Sequence, residues 1–277
     1  MQNLTKNNTL VINKFKGKKV YHLHNSYHLG DNIYNFIMFY IIKEFIESNN
    51  IVIFYYALKE HLYQLKEFLS SSNIFLASLE YKPACSIELW GDNPLFKLRN
   101  DDENNVYSMN EYLKIFYNNV LRILGINFKI NRYCYRDNEL ITRYNKIHDK
   151  YKNFDILILN SQPRSNQYNY NKTEWDNYIL SLNKTFKVLT TTKIENLLCT
   201  VDDNLTVKDI GSLSTKAKVI IAINSGVVPA LLNIQTLMNV KCFYIFDKWK
   251  YFTYPNFKHT KLITDISVDE LKSYIDC

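Results

Sequence analysis

The chain has 277 residues, 47% of them hydrophobic, with only 6 glycines and 5 prolines. This length allows one large domain or two of ordinary size, and the composition argues against disordered linkers. The formal net charge of +7 is dispersed apart from a basic run over 14–19, which fits anionic small molecules or an anionic membrane surface. The sequence has no basic helix and no regularly spaced aromatic platform, so we do not expect it to bind nucleic acid.

The first part of the chain alternates predicted strands and helices. Apolar residues at 33, 36, 37, 40, 41 and 45 follow the spacing of one helical face, and the β-branched and aromatic run that follows is typical of a strand. The predicted strands cover 19–24, 51–56, 74–76 and 86–90, and the predicted helices cover 31–48, 58–69 and 107–124.

A charged, weakly patterned segment over 127–153 separates this part from a second alternating part. The predicted strands there cover 155–159, 186–190, 219–223 and 241–246, and the predicted helices cover 173–182, 207–213, 226–234 and 268–275. Alternation of strands with helices predicts parallel sheets. We therefore expect an α/β protein with two Rossmann-like domains, 1–149 and 150–277, whose sheets face each other across a cleft.

Two glycine turns stand where a predicted strand runs into a helix. The first is His28-Leu29-Gly30-Asp31-Asn32, and the second is Asn224-Ser225-Gly226. Strand, glycine turn and helix is the arrangement by which α/β proteins present backbone N–H groups to an anion. Ser225 and Gly226 can equally be a plain helix cap and a packing glycine; we favour a ligand role, because ligands collect at the carboxyl ends of parallel strands.

The order of these elements resembles the GT-B glycosyltransferases, and among them the bacterial heptosyltransferases. That family carries an Asp-Ser/Thr-Gly-x-x-His turn after a strand like 219–223, a Gly-Asp turn after its first strand, and a polar loop before a helix bearing tryptophan. Asn224-Ser225-Gly226, Gly30-Asp31 and Trp175 match these features. Asn224 stands in place of the family's acid, and Pro229 in place of its histidine.

The resemblance implies an inverting, metal-independent transfer of a sugar from a nucleotide-diphosphate sugar to a glycan or glycolipid acceptor, without a further cofactor. It implies that Asp31 deprotonates the acceptor hydroxyl, although an acid in a first turn also stabilises its helix without doing chemistry. Residues expected to line the acceptor side are His28, Gly30 and Asn32. Residues expected to bind the donor are Asn224, Ser225, Gly226, Arg164 and Lys172.

Two other functions remain open. A fucosyltransferase-like GT-B enzyme also opens with a glycine turn and an apolar helix, but the sequence has no His-x-Gly-x-x-Arg signature. A degenerate GT-B fold that binds a glycan or a partner protein would explain Asn224 and Pro229. Hydrolysis of the donor without acceptor would separate an enzyme from a binding subunit.

Metal binding and export are not expected. His22 and His24 share one face of a strand, a spacing that can bind a metal, but no convincing third ligand accompanies them. The five cysteines are far apart and odd in number, which is typical of reduced intracellular thiols. The first ten residues have no apolar signal core, so we expect a cytoplasmic protein, and the basic run allows peripheral contact with a membrane.

Overall fold

The computed structural model describes residues 15–89, 107–131, 149–164, 168–247, 252–253, 261–264 and 267–275. The chain divides into two compact units. The first comprises Met1–Lys97 and Asn118–Lys129, and the second comprises Leu98–Tyr117 and Ile130–Cys277. The predicted boundary between residues 149 and 150 stays a prediction.

The first unit contains a four-stranded parallel sheet. Its order is β3-β2-β1-β4, and β1 and β2 pair in register from Lys19 with Ile51 to Asn25 with Ala57. The elements are β1 (Lys19–Asn25), α1 (Leu29–Ile41), α2 (Lys43–Ser48), β2 (Ile51–Ala57), a 3-10 turn (Lys59–His61), α3 (Leu62–Lys66), β3 (Ile74–Ser78), a 3-10 turn (Leu79–Tyr81) and β4 (Ile87–Glu88).

Aromatic side chains of the sheet and of α1 pack against each other. Leu23 and Tyr55 are buried, and the Tyr55 ring meets Phe36 and Phe39 of α1 edge to face at centroid distances of 5.1 and 5.6 Å. Phe36 is fully buried as well. This aromatic packing holds α1, whose first residues belong to the first glycine turn, against the sheet.

The second unit contains a six-stranded parallel sheet with the order β12-β10-β9-β6-β7-β8. Strand β5 pairs separately with β11. Helix α4 (Met109–Ile123) belongs to the second unit up to Tyr117 and to the first unit from Asn118. The remaining elements of the second unit are β5 (Tyr107–Ser108), a 3-10 turn (Asp149–Tyr151), β6 (Ile156–Leu159), α5 (Lys172–Leu182), β7 (Val188–Thr190), β8 (Leu198–Cys199), a 3-10 turn (Thr200–Asp203), α6 (Val207–Ser214), β9 (Val219–Ile223), α7 (Val228–Leu231), α8 (Ile234–Asn239), β10 (Cys242–Phe246), β11 (Phe252–Thr253), β12 (Lys261–Thr264) and α9 (Val268–Ile275).

The core of this unit lies where α5 crosses the sheet. Trp175 is 1% exposed, and its ring centroid lies 4.7 Å from that of Phe246 in an edge-to-face arrangement. Ile156 and Ile221 pack in the same cluster from two central strands. The tryptophan of α5 therefore packs against the strands that end at the second glycine turn.

The sequence predicted most of these elements but not every boundary. The predicted helix over 31–48 is two helices separated at Ile42, and the helix over 226–234 is the single turn α7 followed by α8. Strands β5, β8, β11 and β12 were not predicted. The strand expected over 86–90 is limited to Ile87–Glu88, and Trp90 lies outside the described residues.

Candidate functional site

Each sheet reverses its strand order at one point. Numbered within the second unit, β6, β7, β8, β9, β10 and β12 follow the order 3-2-1-4-5-6, and the first sheet follows 3-2-1-4. The reversals fall between β6 and β9 and between β1 and β4. Ligands of open α/β sheets bind outside the carboxyl ends of the strands at such a switch point. The second glycine turn directly follows β9, and the first begins three residues after the end of β1 and continues into α1.

Asn160 lies at the end of β6, one of the two strands that flank the switch point in the second unit. It follows β6, and its Oδ1 accepts hydrogen bonds from the backbone N–H groups of Thr191 and Thr192 at 3.1 and 2.8 Å. Its Nδ2 donates to the carbonyl of Thr192 at 3.2 Å. The side chain of Asn160, which the sequence analysis did not single out, therefore joins the ends of β6 and β7.

The Asn224-Ser225-Gly226 turn lies at the end of β9, the other strand that flanks the switch point. Ser225 Oγ is buried and has no hydrogen-bond partner among the described residues. A buried hydroxyl without a partner is unfavourable by itself, so a bound ligand is a reasonable partner for it. Helix α7 spans only Val228–Leu231 and has Pro229 in its first turn, so any anion here would depend on local N–H groups more than on a helix dipole.

Asn224 is paired with an acid from the neighbouring strand. Its Nδ2 donates to Asp247 Oδ2 at 2.6 Å, and its backbone N–H donates to the carbonyl of Phe246 at 2.9 Å. Asp247 follows β10 and is 9% exposed. The sequence analysis missed Asp247. The available signal was its place as the first polar residue after a strand that ends at the same sheet edge.

The basic residues expected at the donor differ in their surroundings. Lys172 begins α5 and forms an ion pair with Asp176, one turn further along the helix. Arg164 is exposed in the loop after β6. The structure therefore gives Lys172 a partner on its own helix, and neither residue's role toward a phosphate is tested.

The tyrosines of the same loop serve the packing of the unit. The Tyr168 ring meets Phe246 edge to face at 5.5 Å. The Tyr170 hydroxyl donates to the Asn160 carbonyl at 3.1 Å, and burial raises its pKa to about 12. Both rings help to hold the loop against the carboxyl edge of the sheet.

Asp31 lies in the first turn of α1, which begins at Leu29. Burial raises the pKa of its carboxyl group to about 6, opposed by a hydrogen bond from the backbone of His28 that lowers it. The hydrogen bond from His28 is the usual cap of a first-turn acid. The burial makes Asp31 a better proton acceptor than an ordinary aspartate while leaving it mostly ionised at neutral pH.

The residues around Asp31 are held by a buried hydrogen-bond chain. Asn35 Nδ2 donates to the Tyr55 hydroxyl at 2.9 Å, and that hydroxyl donates to Asn32 Oδ1 at 2.8 Å. Asn32 Nδ2 in turn donates to the His28 carbonyl at 2.9 Å. The amide of Asn32 is therefore committed to the fold of the turn. Gly30 is buried, and His28 is exposed.

The two strand histidines have separate partners. His22 Nδ1 lies 2.9 Å from the Tyr56 hydroxyl, and burial lowers the pKa of His22. His24 Nε2 lies 3.8 Å from a Glu88 carboxylate oxygen; burial and then Lys82 lower the pKa of His24, against the effect of Glu88. Within the described ranges, no group of three His, Cys, Asp or Glu side chains could hold a metal ion.

The surface of the first unit carries part of the basic run. Lys16 and Lys19 are exposed and Lys18 is half-buried, whereas Lys14 lies outside the described residues. Of the helices in the part of the chain that the structure describes, none is both long and apolar enough to cross a membrane.

The fold is shared with a known glycosyltransferase. Two structures of the E. coli heptosyltransferase WaaC, one with ADP-2-deoxy-2-fluoro heptose and one with ADP, match with TM-scores of 0.54 and 0.55 at 7% and 8% sequence identity. Each match covers 93% of this chain, and 99% and 97% of the WaaC chain, respectively. The sequence matches no protein-family model and no curated protein.

This likeness and the strand orders define the class of the protein. The chain has the GT-B glycosyltransferase fold in its heptosyltransferase-like form, with a parallel sheet in each of two α/β units. The prediction of two α/β units with parallel sheets and the resemblance in fold to heptosyltransferases are therefore confirmed. A likeness at 7% identity establishes the fold alone.

Proposed function

We propose that the protein is an inverting glycosyltransferase that moves a sugar from a nucleotide-diphosphate sugar to a glycan or glycolipid acceptor without a metal ion. The observation that carries this proposal is Asp31, a half-buried carboxylate whose pKa is raised to about 6. A base with a pKa just below neutral combines ionisation with basicity, which suits removal of a hydroxyl proton. WaaC, which shares the fold, was solved with ADP and with a fluorinated ADP-heptose.

The chemistry requires one proton transfer and one displacement. Asp31 takes the proton of an acceptor hydroxyl, and that oxygen attacks the anomeric carbon of the donor sugar. The bond from this carbon to the diphosphate oxygen breaks, and the nucleoside diphosphate leaves with the bonding electrons. A single displacement of this kind inverts the anomeric configuration.

We assign the donor to the second unit. The buried Ser225 hydroxyl, which has no hydrogen-bond partner among the residues that the structure describes, supports a ligand at the switch point between β6 and β9. Asn224 and Gly226 belong to the same turn, and Arg164 and Lys172 are cations that could neutralise a leaving diphosphate. The first unit, with Asp31 and the exposed His28, would bind the acceptor.

A lipid-linked acceptor would bring the protein to a membrane surface from the cytoplasmic side. The exposed Lys16 and Lys19 support this part of the proposal, because clustered lysines are attracted to anionic headgroups. Vesicle sedimentation with and without anionic lipid would measure the attraction. Binding that is independent of lipid charge would count against it.

A binding subunit remains the second candidate function. Asn224 and Pro229 replace the acid and the histidine that the resemblance places in this turn. Such a subunit would bind nucleotide sugar or glycan without turnover. Slow hydrolysis of a bound nucleotide sugar in the absence of acceptor would identify an enzyme.

The direct test joins a donor screen to kinetics. Thermal shifts with ADP-, GDP-, UDP-, dTDP- and CMP-sugars identify the donor, since a ligand of the folded state raises its stability. With that donor saturating, Asp31→Asn should lower kcat by about a hundredfold or more. The exposed first-turn acid of α2 supplies the control, Glu44→Gln, which should keep normal kcat.

The pH profile tests the same base. Because the folded pKa of Asp31 is about 6, kcat/KM should fall as pH drops below that value and the carboxylate gains its proton. A profile with no ionisation in this region, or an Asp31→Asn variant with normal kcat, would remove the assignment.

A further inference from the structure

The pair formed by Asn224 and Asp247 has a defined polarity. The two residues follow β9 and β10, which pair in parallel up to Ile223 opposite Phe246. A carboxylate accepts hydrogen bonds and an amide nitrogen donates them, so the 2.6 Å contact can only join Asn224 Nδ2 to Asp247 Oδ2. The amide oxygen Oδ1 must then point away from Asp247.

This orientation leaves two polar atoms of one turn with no partner in the part of the protein that the structure describes. Among the described residues, Asn224 Oδ1 accepts no hydrogen bond, and the adjacent Ser225 Oγ is buried without a partner. One atom is a neutral acceptor, and the other both donates and accepts. Together they can bind a hydroxyl group, the group that both ribose and a transferred sugar offer in quantity.

The charge beside them disfavours a phosphate at the same place. Asp247 Oδ2 lies 2.6 Å from the Asn224 amide nitrogen, and the residue is 9% exposed, so little water separates this carboxyl group from any charge placed on Asn224. A phosphate oxygen bound directly to Asn224 would face this carboxylate. A neutral hydroxyl would not be repelled.

We propose that Asp247 is a positioning residue that orients Asn224, so that Asn224 Oδ1 and Ser225 Oγ bind a hydroxyl of the donor instead of its diphosphate. The inference rests on the proposed function for its ligand. The proposed pairing also explains why residue 224 is an asparagine, because the pair then contains one carboxylate and one neutral hydrogen-bond acceptor. An acid at 224 beside Asp247 would bring two negative charges together.

Exchange of the two side chains tests the pairing. Asn224→Asp places two carboxylates in contact, and Asp247→Asn removes the group that fixes the amide. The double variant Asn224→Asp/Asp247→Asn restores one acid and one amide with their positions exchanged. Asp202→Asn is the matched control, since it makes the same chemical change in an exposed ion pair with Lys193 in the same unit.

The first measurement needs no ligand. Without nucleotide, Asn224→Asp should lower the melting temperature at neutral pH, because one carboxylate is desolvated beside another, and the double variant should recover most of the loss. A double variant that is no more stable than Asn224→Asp would overturn the pairing. This result is independent of whether the protein is a glycosyltransferase.

The second measurement uses calorimetric titration with the nucleotide sugar found in the donor screen and with its nucleoside diphosphate. Asn224→Asp should weaken nucleotide-sugar binding about tenfold, and the double variant should regain most of it. A matching loss with the nucleoside diphosphate means that a ribose hydroxyl is bound; a loss confined to the nucleotide sugar means that the transferred sugar is bound.

Three results would overturn the inference or its basis. If all variants bind both ligands like the wild type, Asn224 does not bind the donor and Asp247 does not position it for that role. If Asp202→Asn weakens binding as much as Asn224→Asp, the effect is not specific to the pair. If the wild type binds no nucleotide sugar, the proposed function fails and so does the ligand part of the inference, while the melting temperatures still decide the pairing.

Discussion

Replacing Asp31 by asparagine should stabilise the folded chain near neutral pH. Burial in the first turn of α1 raises the pKa of this carboxyl group from 3.8 to about 6. The folded chain therefore binds the proton more tightly than the unfolded chain, and ionisation lowers the free energy of unfolding as pH rises through this interval. Asparagine has nearly the same shape and no charge to desolvate.

The size of the expected stabilisation follows from the change in the pKa of Asp31. A difference of about two pKa units corresponds to ~3 kcal/mol between the protonated and ionised states. The N-terminus of α1 favours a negative charge by about 0.3–1 kcal/mol. A net gain of ~2 kcal/mol for Asp31→Asn is therefore expected above the folded pKa, and almost none below the unfolded one.

Urea unfolding at a series of pH values between about 4 and about 8 measures this difference. Because the chain has two units, hydrogen exchange of peptides from α1 assigns the change to the first unit. Asp209→Asn is the control. Asp209 occupies the same position in the capping box of α6 and accepts from the Thr206 N–H at 2.9 Å, so its loss should only destabilise.

A stability difference between Asp31→Asn and wild type that does not change with pH would refute this reasoning. So would a loss of stability like that of Asp209→Asn. Either result would show that Asp31 is an ordinary helix cap, and the proposed base would lose its electrostatic support.

Two further results are expected. Tyr55→Phe removes the hydroxyl that joins Asn32 to Asn35 in the core and should lower the free energy of unfolding by ~2–4 kcal/mol, since two buried amide groups lose a partner. Tyr63→Phe is the control, because the Tyr63 side chain is 63% exposed, and it should leave the free energy of unfolding unchanged. If urea titrations gave both variants the same free energy of unfolding, the buried hydrogen bonds of Tyr55 would not stabilise the fold. EDTA should leave transfer activity unchanged, because the sequence has no Asp-x-Asp pair or other convincing metal-ligand set. Activity lost in EDTA and restored by Mg²⁺ or Mn²⁺ would contradict it.

The sequence by itself determined most of the segments that form strands and helices. The β-branched run at Val219–Ile223 and the helical spacing at Val268–Ile275 predict these elements with the bounds that the structure gives. Burial of one face or of a whole strand imposes a period that is visible in the residues alone. The two glycine turns could be predicted for the same reason, since each interrupts such a period.

Some local signals were present but not used. Asn233 ends the turn α7 and caps α8, accepting from the Thr236 N–H at 2.9 Å and donating to the Ala230 carbonyl at 3.1 Å. Asparagine is a preferred N-cap residue, so Asn233 inside an apolar run is a helix-start signal. The break in the predicted helix over 226–234 was therefore readable from the sequence.

Only the tertiary structure decided which residues of the candidate site meet. Asn224 and Asp247 are 23 residues apart, and so are Asn32 and Tyr55. These contacts depend on which strands become neighbours and on the register in which they pair, and local periodicity encodes neither. The raised pKa of Asp31 has the same origin, because desolvation depends on side chains that distant segments pack around the carboxyl group.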